Sequence, residues 1–380
     1  MRRSGFIVIA VVGLGGAGGN CADEAIKRGF YGVAINYSDR DLRALEHVEH
    51  KLKLQGSEGV GKNREEATAL LSTQYDAVVK WIIDHLSSPS IKIIAFYYST
   101  SGGSGSGIAS LLMELLQSIM PDKTIIAFPI LPDLSEDETA QLNCLAASEE
   151  LSKLNVLSFP IDNQQVKNGN NNIPKNKIYE ITNTNAVYLL HSVVSYIELS
   201  SKNGNFDEQD LLTVLGTKGV GHICEVNIKT PVNIEQTSQG LTDIIHEQWK
   251  TSIFAPIDYQ HVTRAAVIFD GDEKYTDLIS HQDMFSVFEN GTPIGLYEGY
   301  YHNSANRIIT VLTGLPWFTS RLKQIEHIIE QNTSKIETVL SSQADTSYVS
   351  SVSSIANKLK SPIKSTPKSS TADIVAKYKR

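Results

Sequence analysis

A glycine- and serine-rich segment in the first third of the chain has the composition of an anion-binding loop. It covers residues 98–107 (YSTSGGSGSG), between an apolar run and a helical pattern that begins at Ile108. Glycine lets the backbone approach a ligand closely, and serine adds hydroxyl donors. Strand, glycine loop and helix is the order in which backbone N–H groups and a helix N-terminus converge on an anion. A flexible linker would not be bracketed in this way, so the segment predicts a phosphate-binding loop.

Two further glycine loops precede this one. The first, residues 13–20 (GLGGAGGN), contains the spacing GxGxxG of dinucleotide-binding loops. The next predicted strand, however, ends in Asn36 rather than in the acid that holds an adenosine ribose. The second loop, residues 56–63 (GSEGVGKN), differs from a Walker A loop because Asn63 replaces the magnesium-binding hydroxyl. We therefore expect all three loops to surround phosphates, without a Walker A site.

The elements that carry these loops alternate between strand and helix over the first 160 residues. This order predicts an α/β fold with a doubly wound parallel sheet, which binds ligands at the carboxyl ends of its strands. The predicted helices of this part cover residues 22–28, 63–87 and 138–153, and an exposed asparagine-rich excursion covers 163–176.

The second half has a different pattern. A long helix from 178 to about 199 precedes strands at 265–269, 294–301 and 307–312, with a helix near 276–288. These elements predict a smaller α+β domain with a mixed sheet. An amphipathic helix over 316–340 follows, and the Ser-, Thr-, Lys- and Pro-rich remainder is predicted to be disordered.

Composition and charge limit the class of protein. The chain has 380 residues, 41% of them apolar and 20% charged, as in ordinary globular proteins. No window of 18 apolar residues predicts a membrane span, and three scattered cysteines suggest a reducing cytoplasm. The net charge is −8, although residues 355–380 are basic. An acidic body with a basic tail suggests a separate partner for the tail, although a merely solvated tail is nearly as consistent.

The order of these motifs resembles the tubulin/FtsZ family of polymerising GTPases over residues 6–315. The family loop GGGTGSG corresponds to residues 101–107 (SGGSGSG), with Ser101 and Ser104 as differences. The resemblance implies a Rossmann-like GTPase domain at 1–177, a central helix at 178–200 and an activation domain at 201–315, followed by a C-terminal helix at 316–340 and a tail at 341–380. It also implies GTP/GDP and Mg²⁺ as cofactors, with magnesium held largely by water and phosphate oxygens.

The same resemblance assigns the nucleotide-binding residues. The guanine base is expected at Asn163, Tyr179 and Asn183. Tyr179 and Asn183 share a helical face, where a ring can stack on the base while an amide reads its edge. An ordinary role in an amphipathic helix is the alternative for Tyr179. The other expected nucleotide contacts are Gly15, Gly16, Gly18, Asn20, Asn36, Gly102, Gly103, Ser104, Gly105, Ser106, Gly107 and Asp133.

Residues 205–210 (NFDEQD) resemble the catalytic loop NxDxxD of the family. In the family this loop enters the nucleotide pocket of the next subunit, so Asn205, Asp207 and Asp210 would act on a neighbour. An acid can orient the attacking water in phosphoryl transfer. Helix capping is the alternative, but it explains one aspartate and not the pattern. Asp207 and Asp210 remain equal candidates.

The basic C-terminus distinguishes among branches of the family. The cell-division branch, FtsZ, typically ends in an apolar-acidic peptide and carries an arginine after the fifth strand, whereas residues 129–143 contain no basic residue here. A long helix and a basic tail are similar to the segregation branch, TubZ, in which the tail engages a DNA-binding adaptor, TubR. The chain is therefore expected to polymerise head to tail and to segregate plasmid or phage DNA through an adaptor bound by residues 355–380, without a membrane.

Two alternatives stay open. An FtsZ-type cell-division GTPase would share every nucleotide loop. A NAD-dependent oxidoreductase would use only the loop at 13–18, and it would leave the loop at 98–107 and residues 205–210 unexplained. A serine hydrolase is not supported, because the serine-rich loop lacks a GxSxG nucleophile elbow.

Overall fold

The computed structural model describes residues 8–169, 173–228 and 237–342. The strands are β1 (Ile9–Leu14), β2 (Tyr31–Asn36), β3 (His50–Lys53), β4 (Ile93–Ser99), β5 (Thr124–Leu131), β6 (Leu157–Ser158), β7 (Ile161–Asp162), β8 (Gly219–Asn227), β9 (Arg264–Asp270), β10 (Gly295–Tyr301) and β11 (Arg307–Leu315). The helices are α1 (Gly15–Lys27), α2 (Asp39–Arg43), α3 (Arg64–Ser72), α4 (Tyr75–Leu86), α5 (Ser104–Ile119), α6 (Glu138–Ser152), α7 (Asn163–Gly169), α8 (Lys175–Val194), α9 (Glu208–Leu215), α10 (Ser238–Lys250), α11 (His281–Met284) and α12 (Thr319–Ser342).

The strands form one sheet in the order β10-β9-β11-β8-β6-β5-β4-β1-β2-β3, and β7 pairs with β5. The pairs from β3 to β6 are all parallel, which confirms the predicted doubly wound sheet. In the second half β11 is antiparallel to both β8 and β9, so that part is mixed. The parallel pair β6–β8 joins the two parts. β8 is absent from the predicted strands.

Several predicted helices have other limits in the structure. The single helix expected over 63–87 is wrong, because α3 and α4 are separate. Gln74 lies at the break, where its side chain accepts from the N–H of Gln55 at 3.0 Å and donates to the carbonyl of Leu70 at 3.1 Å. The helix expected near 276–288 is also wrong, since a 3₁₀ helix (Glu273–Leu278) and the four-residue α11 occupy most of it.

Two of the three glycine loops, those at 13–20 and 98–107, run into helices rather than forming irregular turns. α1 begins at Gly15, before the expected Ala22, and α5 begins at Ser104. The expected exposed excursion at 163–176 is wrong for its first part, because α7 buries Asn163 and Val166. The central helix α8 begins directly after Pro174, a residue well suited to precede a helix, and ends at Val194 rather than near Leu199.

Apolar side chains cover both faces of the sheet. α1 and α8 pack on one face around residues such as Tyr97 and Phe128, and α3, α4 and α5 pack on the other. A third cluster lies in the second half and includes residues of α6 and α12. Among the described helices, none has the length and apolarity that crossing a membrane requires. The predicted tail begins at the end of α12, and residues 343–380 lie outside the described part.

Candidate functional site

Two helix N-termini meet at the carboxyl ends of β1 and β4. Neither α1 nor α5 has a side-chain cap, so the backbone N–H groups of both first turns lack a side-chain acceptor. Gly15 has φ of +70°, and a Cβ there would lie 2.9 Å from the backbone nitrogen of Gly105. Only glycine allows this approach. Two positive helix ends are thereby placed together, and this arrangement is suited to binding an anion.

A cavity of about 310 Å³ opens in front of these helix ends. Seven of the sequence-predicted nucleotide residues line it, namely Gly15, Gly16, Asn36, Gly102, Gly103, Ser104 and Gly105. The other lining residues include Ser38, Asp41 and Glu58–Gly61 of the glycine loop at 56–63. The structure therefore brings all three glycine loops to one cavity. Apart from Leu14 and Val60, the lining residues are small or polar, as close approach to phosphates requires.

Four of the other predicted residues lie in α1 and α5 but outside the cavity lining. Gly18 packs against β4, and a Cβ there would overlap the carbonyl oxygen of Tyr97. Gly107 approaches α3 in the same way, with a Cβ position 2.7 Å from the carbonyl oxygen of Arg64. Ser106 is buried and donates to the carbonyl of Gly102. Asn20 is exposed on α1.

The glycine loop at 56–63 is fixed to the loop at 98–107 by hydrogen bonds. The N–H of Gly103 donates to the carbonyl of Gly61 at 3.1 Å. The side chain of Asn143, on α6, donates to the carbonyl of Lys62 at 2.8 Å and lies 3.2 Å from that of Ser101. Lys62 also pairs with Asp137, and this hydrogen bond lowers the pKa of that carboxyl. Asn143 was not predicted, because its partners are backbone carbonyls that leave no pattern in the sequence.

Asn36, Ser38 and Asp41 form the far wall of the cavity. The Asn36 side chain donates to Oδ2 of Asp41 at 3.1 Å and accepts from the N–H of Ser38 at 3.2 Å. Ser38 caps α2 by accepting from the N–H of Asp41. Sequence reasoning selected Asn36 and missed Asp41, although its position in the first turn after the strand end was a usable signal.

The predicted base-binding residues lie around the ends of β5 and β7. Asn163 is buried, and its Oδ1 has no hydrogen-bond partner among the residues that the structure describes. A buried amide oxygen without a partner is costly, so its fit to an N–H of a ligand is good. Asp133 is buried beside Lys167 at 2.9 Å. Burial raises the pKa of Asp133, but the hydrogen bonds from Ser135 and Lys167 outweigh it and leave the pKa below its ordinary value.

Tyr179 and Asn183 lie one turn apart in the N-terminal half of α8. The Tyr179 ring is 37% exposed and has the ammonium group of Lys175 at 5.6 Å from its centroid. Its hydroxyl lies 3.4 Å from Oε1 of Glu136, which follows β5. Asn183 is half-buried. The Tyr179 ring is therefore accessible to a planar ligand, and the structure places it beside the β5–α6 connection rather than in the lining of the phosphate cavity.

Asp207 and Asp210 form a capping box at the start of α9. Asp207 accepts from the N–H of Asp210 at 3.0 Å, and Asp210 accepts from the N–H of Asp207 at 3.2 Å. Capping therefore accounts for both aspartates, beyond the single one expected. Burial, followed by the charge of Asp207, raises the pKa of Asp210. Asn205 accepts from the N–H of Ser201 at 2.5 Å. Each carboxylate still has one oxygen that the box does not use.

The acids and the phosphate cavity lie at opposite ends of the domain. The chain returns to the C-terminal end of α8 before α9 begins. The Tyr301 hydroxyl shows this, since it contacts both Tyr196, just after α8, and Phe206, just before α9. α1 packs beside α8, and Arg28 at its C-terminal end lies over the Tyr188 ring at 5.4 Å. Gly15 is at the other end of α1, about 20 Å away at about 1.5 Å per residue. One chain therefore does not bring the two halves of the predicted site together.

A phosphate cavity between two helix ends, at the carboxyl edge of a doubly wound sheet, defines a nucleotide-binding protein. Residues 8–171 match the model described as "Tubulin/FtsZ family, GTPase domain". Over residues 8–171 the chain therefore carries a GTPase domain of the tubulin/FtsZ family, which binds guanine nucleotide and hydrolyses GTP.

Relatives agree with this assignment. The chain is 26% identical to the tubulin-like protein TubZ of Clostridium botulinum C phage over 331 residues, which cover 85% of this chain and 83% of that protein. It is 23% identical to the tubulin-like protein CetZ of Pyrococcus abyssi over 84% of this chain and 87% of CetZ. Among solved structures, a GTPγS-form protofilament of Bacillus thuringiensis serovar israelensis TubZ matches with a TM-score of 0.74 at 16% identity, over 88% of this chain and 94% of that one.

Proposed function

We propose that this GTPase polymerises head to tail and hydrolyses GTP at the junction between subunits. The placement of Asp207 and Asp210 at the other end of the domain from the phosphate cavity carries the proposal. The cavity has helix ends and glycine loops for phosphates, whereas the acids lie at the opposite end of α8. A contact between unlike ends, repeated without closure, gives an open filament. Each junction would then unite one cavity with one pair of acids.

At such a junction the residues would divide the chemistry. The N-termini of α1 and α5 bind the phosphates and stabilise the charge that develops on them. Asn163, Tyr179 and Asn183 bind the guanine base. Mg²⁺, held largely by phosphate oxygens and water, would supply further charge neutralisation. Asp207 or Asp210 of the next subunit orients the attacking water through its unused carboxylate oxygen, and Asn205 supports the same loop.

Light scattering and phosphate release, measured with GTP, ATP or no nucleotide, test assembly and turnover together. We expect scattering only with GTP, and a rate per subunit that rises with protein concentration. The absence of GTP-dependent scattering would exclude the filament. Asp210→Ala and Asp207→Ala should lower turnover without weakening nucleotide binding by single subunits, and Glu208→Ala, an exposed acid in the same turn, serves as the matched control.

Mixing experiments test the composite site directly. Asp210→Ala supplies an intact cavity without the acid, and Gly15→Val supplies the acid without a usable cavity, since Val has no room beside Gly105. We expect each variant alone to turn over slowly and the mixture to regain part of the activity at mixed junctions. If the mixture is no faster than the sum of its components, the acid does not act on a neighbour.

For the biological role we propose DNA segregation of the TubZ type. The similarity to a phage TubZ over 85% of this chain and the basic residues 355–380 support it. Lysines spaced by Ser, Thr and Pro neutralise charge without reading bases, so a TubR-like adaptor on DNA is a better partner than DNA itself. Deleting 355–380 should spare polymerisation and abolish co-sedimentation with adaptor-bound DNA. Unchanged recruitment would refute the role of the tail.

A further inference from the structure

The loop that carries the predicted catalytic residues is attached to the end of β10. The N–H of Tyr300 donates to the carbonyl of Gly204 at 3.1 Å, and the Ser201 hydroxyl donates to the carbonyl of Tyr300. Gly299 lies under the loop, and a Cβ there would be 3.1 Å from the backbone nitrogen of Phe206. The loop therefore rests directly on the strand, and its path is set by β10 rather than by solvent.

One side chain of the strand holds the residue that precedes the acids. The hydroxyl of Tyr301 accepts from the N–H of Phe206 at 2.9 Å and lies 3.4 Å from the carbonyl of Tyr196, to which it can donate. Phe206 is completely buried, so no water can replace this partner. A buried N–H group adjoining Asp207 is thus satisfied by a single phenol oxygen.

Tyr301 is itself fixed by rigid neighbours. Its ring lies 4.9 Å from that of Tyr196, centroid to centroid, and is 1% exposed. The Tyr196 hydroxyl donates to Oδ2 of Asp270 at 2.9 Å and accepts from Nε of Arg307 at the same distance. Arg307 in turn pairs with Glu225 at 3.0 Å. The phenol oxygen therefore has a fixed position, transmitted from β8, β9 and β11 to the loop.

We propose that Tyr301 is a positioning residue for GTP hydrolysis, whose hydroxyl fixes Phe206 and thereby the direction in which Asp207 and Asp210 face the next subunit. The inference rests on the proposed junctional site. It predicts that Tyr301→Phe leaves the fold, nucleotide binding and filament assembly in place, while the acids lose their exact placement. A displacement of about 1 Å at a catalytic group costs roughly a hundredfold in rate. We therefore expect turnover per polymerised subunit to fall by about ten- to a hundredfold.

The experiment separates chemistry from assembly. The full chain is assembled with GTPγS and followed by sedimentation, single subunits are titrated with fluorescent GTP, and phosphate release is normalised to polymerised protein. Tyr301→Phe should match the unmodified chain in the first two measurements and fall in the third. Tyr297→Phe, a half-buried tyrosine on the same face of β10, is the matched control and should be unchanged in all three. A merely structural role would move binding or assembly as well.

Asp207→Ala and Asp210→Ala in the same assay distinguish a failure of the junctional site from a failure of the positioning role of Tyr301. If Asp207→Ala and Asp210→Ala both keep full turnover, the junctional site itself fails. If Asp210→Ala is slow and Tyr301→Phe is not, the positioning role of Tyr301 is overturned. If Tyr301→Phe blocks assembly with GTPγS, the hydroxyl serves docking and the proposal is likewise wrong. Should Tyr301→Phe not fold, Ser201→Ala removes a second side-chain tether of the loop and must show the same selective loss, or the proposal fails.

Discussion

Arg321 offers the sharpest test of how α12 is attached to the nucleotide-binding half. Its Nε donates to Oδ2 of Asp162 at 2.7 Å, and its Nη2 donates to Oδ1 at 3.2 Å and to the carbonyl of Pro132 at 2.7 Å. Pro132 and Asp162 directly precede Asp133 and Asn163, two of the predicted nucleotide residues. One guanidinium therefore holds both segments, and its loss should lower the stability of this half of the molecule.

The change Arg321→Met keeps the length and apolar stem of the side chain but removes the charge. The side chains of Arg321 and Asp162 are both 1% exposed, so solvent screening does not reduce the effect. Removing one partner of a buried pair leaves an uncompensated charge and costs about 3–5 kcal/mol. We therefore expect the free energy of unfolding to fall by about that amount, measured by urea denaturation of the full chain at pH 7.

A second variant isolates the charge from the packing. Asp162→Asn combined with Arg321→Met removes both charges, while the new amide oxygen can still accept from the N–H of Gln164, as Oδ1 of Asp162 does at 3.0 Å. The double variant should be more stable than Arg321→Met alone, because no ion remains buried. Equal or lower stability of the double variant would show that the lost packing, rather than the lost charge, determines the cost.

The pH dependence of the stability deficit of Arg321→Met tests the same account independently. Burial raises the pKa of Asp162 above its ordinary value even with Arg321 present, so the folded chain binds a proton at this carboxyl more readily than the unfolded chain does. Without the guanidinium this pKa rises further, and protonation relieves the folded variant at a pH where the unfolded chain is still ionised. The deficit of Arg321→Met should therefore shrink as the pH falls from 7 towards 4. A deficit below about 1 kcal/mol at pH 7, or one that grows on acidification, would refute this account.

Three further predictions follow from single positions. Gly18→Ala should destabilise the fold by about 3 kcal/mol, because its methyl group overlaps the Tyr97 carbonyl and displaces α1; urea denaturation measures this. Gly102→Ala meets no atom within 4 Å, so stability should change by less than about 0.5 kcal/mol, while fluorescent-GTP titration should show weaker binding if phosphates occupy that space. Burial lowers the pKa of His222 to about 3, so stability present above pH 6.5 should be lost as the pH falls towards 3; His222→Asn should flatten that dependence.

The meeting of the glycine loops could be predicted from the sequence because its requirements are local. The close approach of Gly15 to Gly105 requires glycine at a fixed position in the chain. The uncapped N-terminus of α5 at Ser104 likewise depends on the residue types at fixed positions. The same local reasoning cannot separate glycines that face a ligand from glycines that face another element. Gly15 lines the cavity, whereas Gly18 in the same motif touches β4, and only the packed structure distinguishes them.

Features that depend on distant partners left no readable pattern. Arg321 and Asp162 are 159 positions apart, and each alone resembles an ordinary surface charge. β8 was missed because it begins with glycines and buries His222 in place of an apolar residue. The break between α3 and α4 depends on the Gln74 side chain bonding to Gln55, which is equally invisible in a helical periodicity. Tertiary contacts override local preference at each of these places.

The length of α8 has a consequence for regulation. Because α8 is a continuous helix of 20 residues, it separates Tyr179 from the loop at Asn205 by a fixed distance that fluctuations of single side chains cannot close. On the proposed mechanism, hydrolysis in a free subunit is slow since the acids are absent from its own cavity, and not because the nucleotide binds poorly. Binding and turnover are thereby separated within one chain. GTP can be loaded before assembly, and the Tyr301 contact then affects the rate of hydrolysis only after the cavity of a neighbouring subunit has docked.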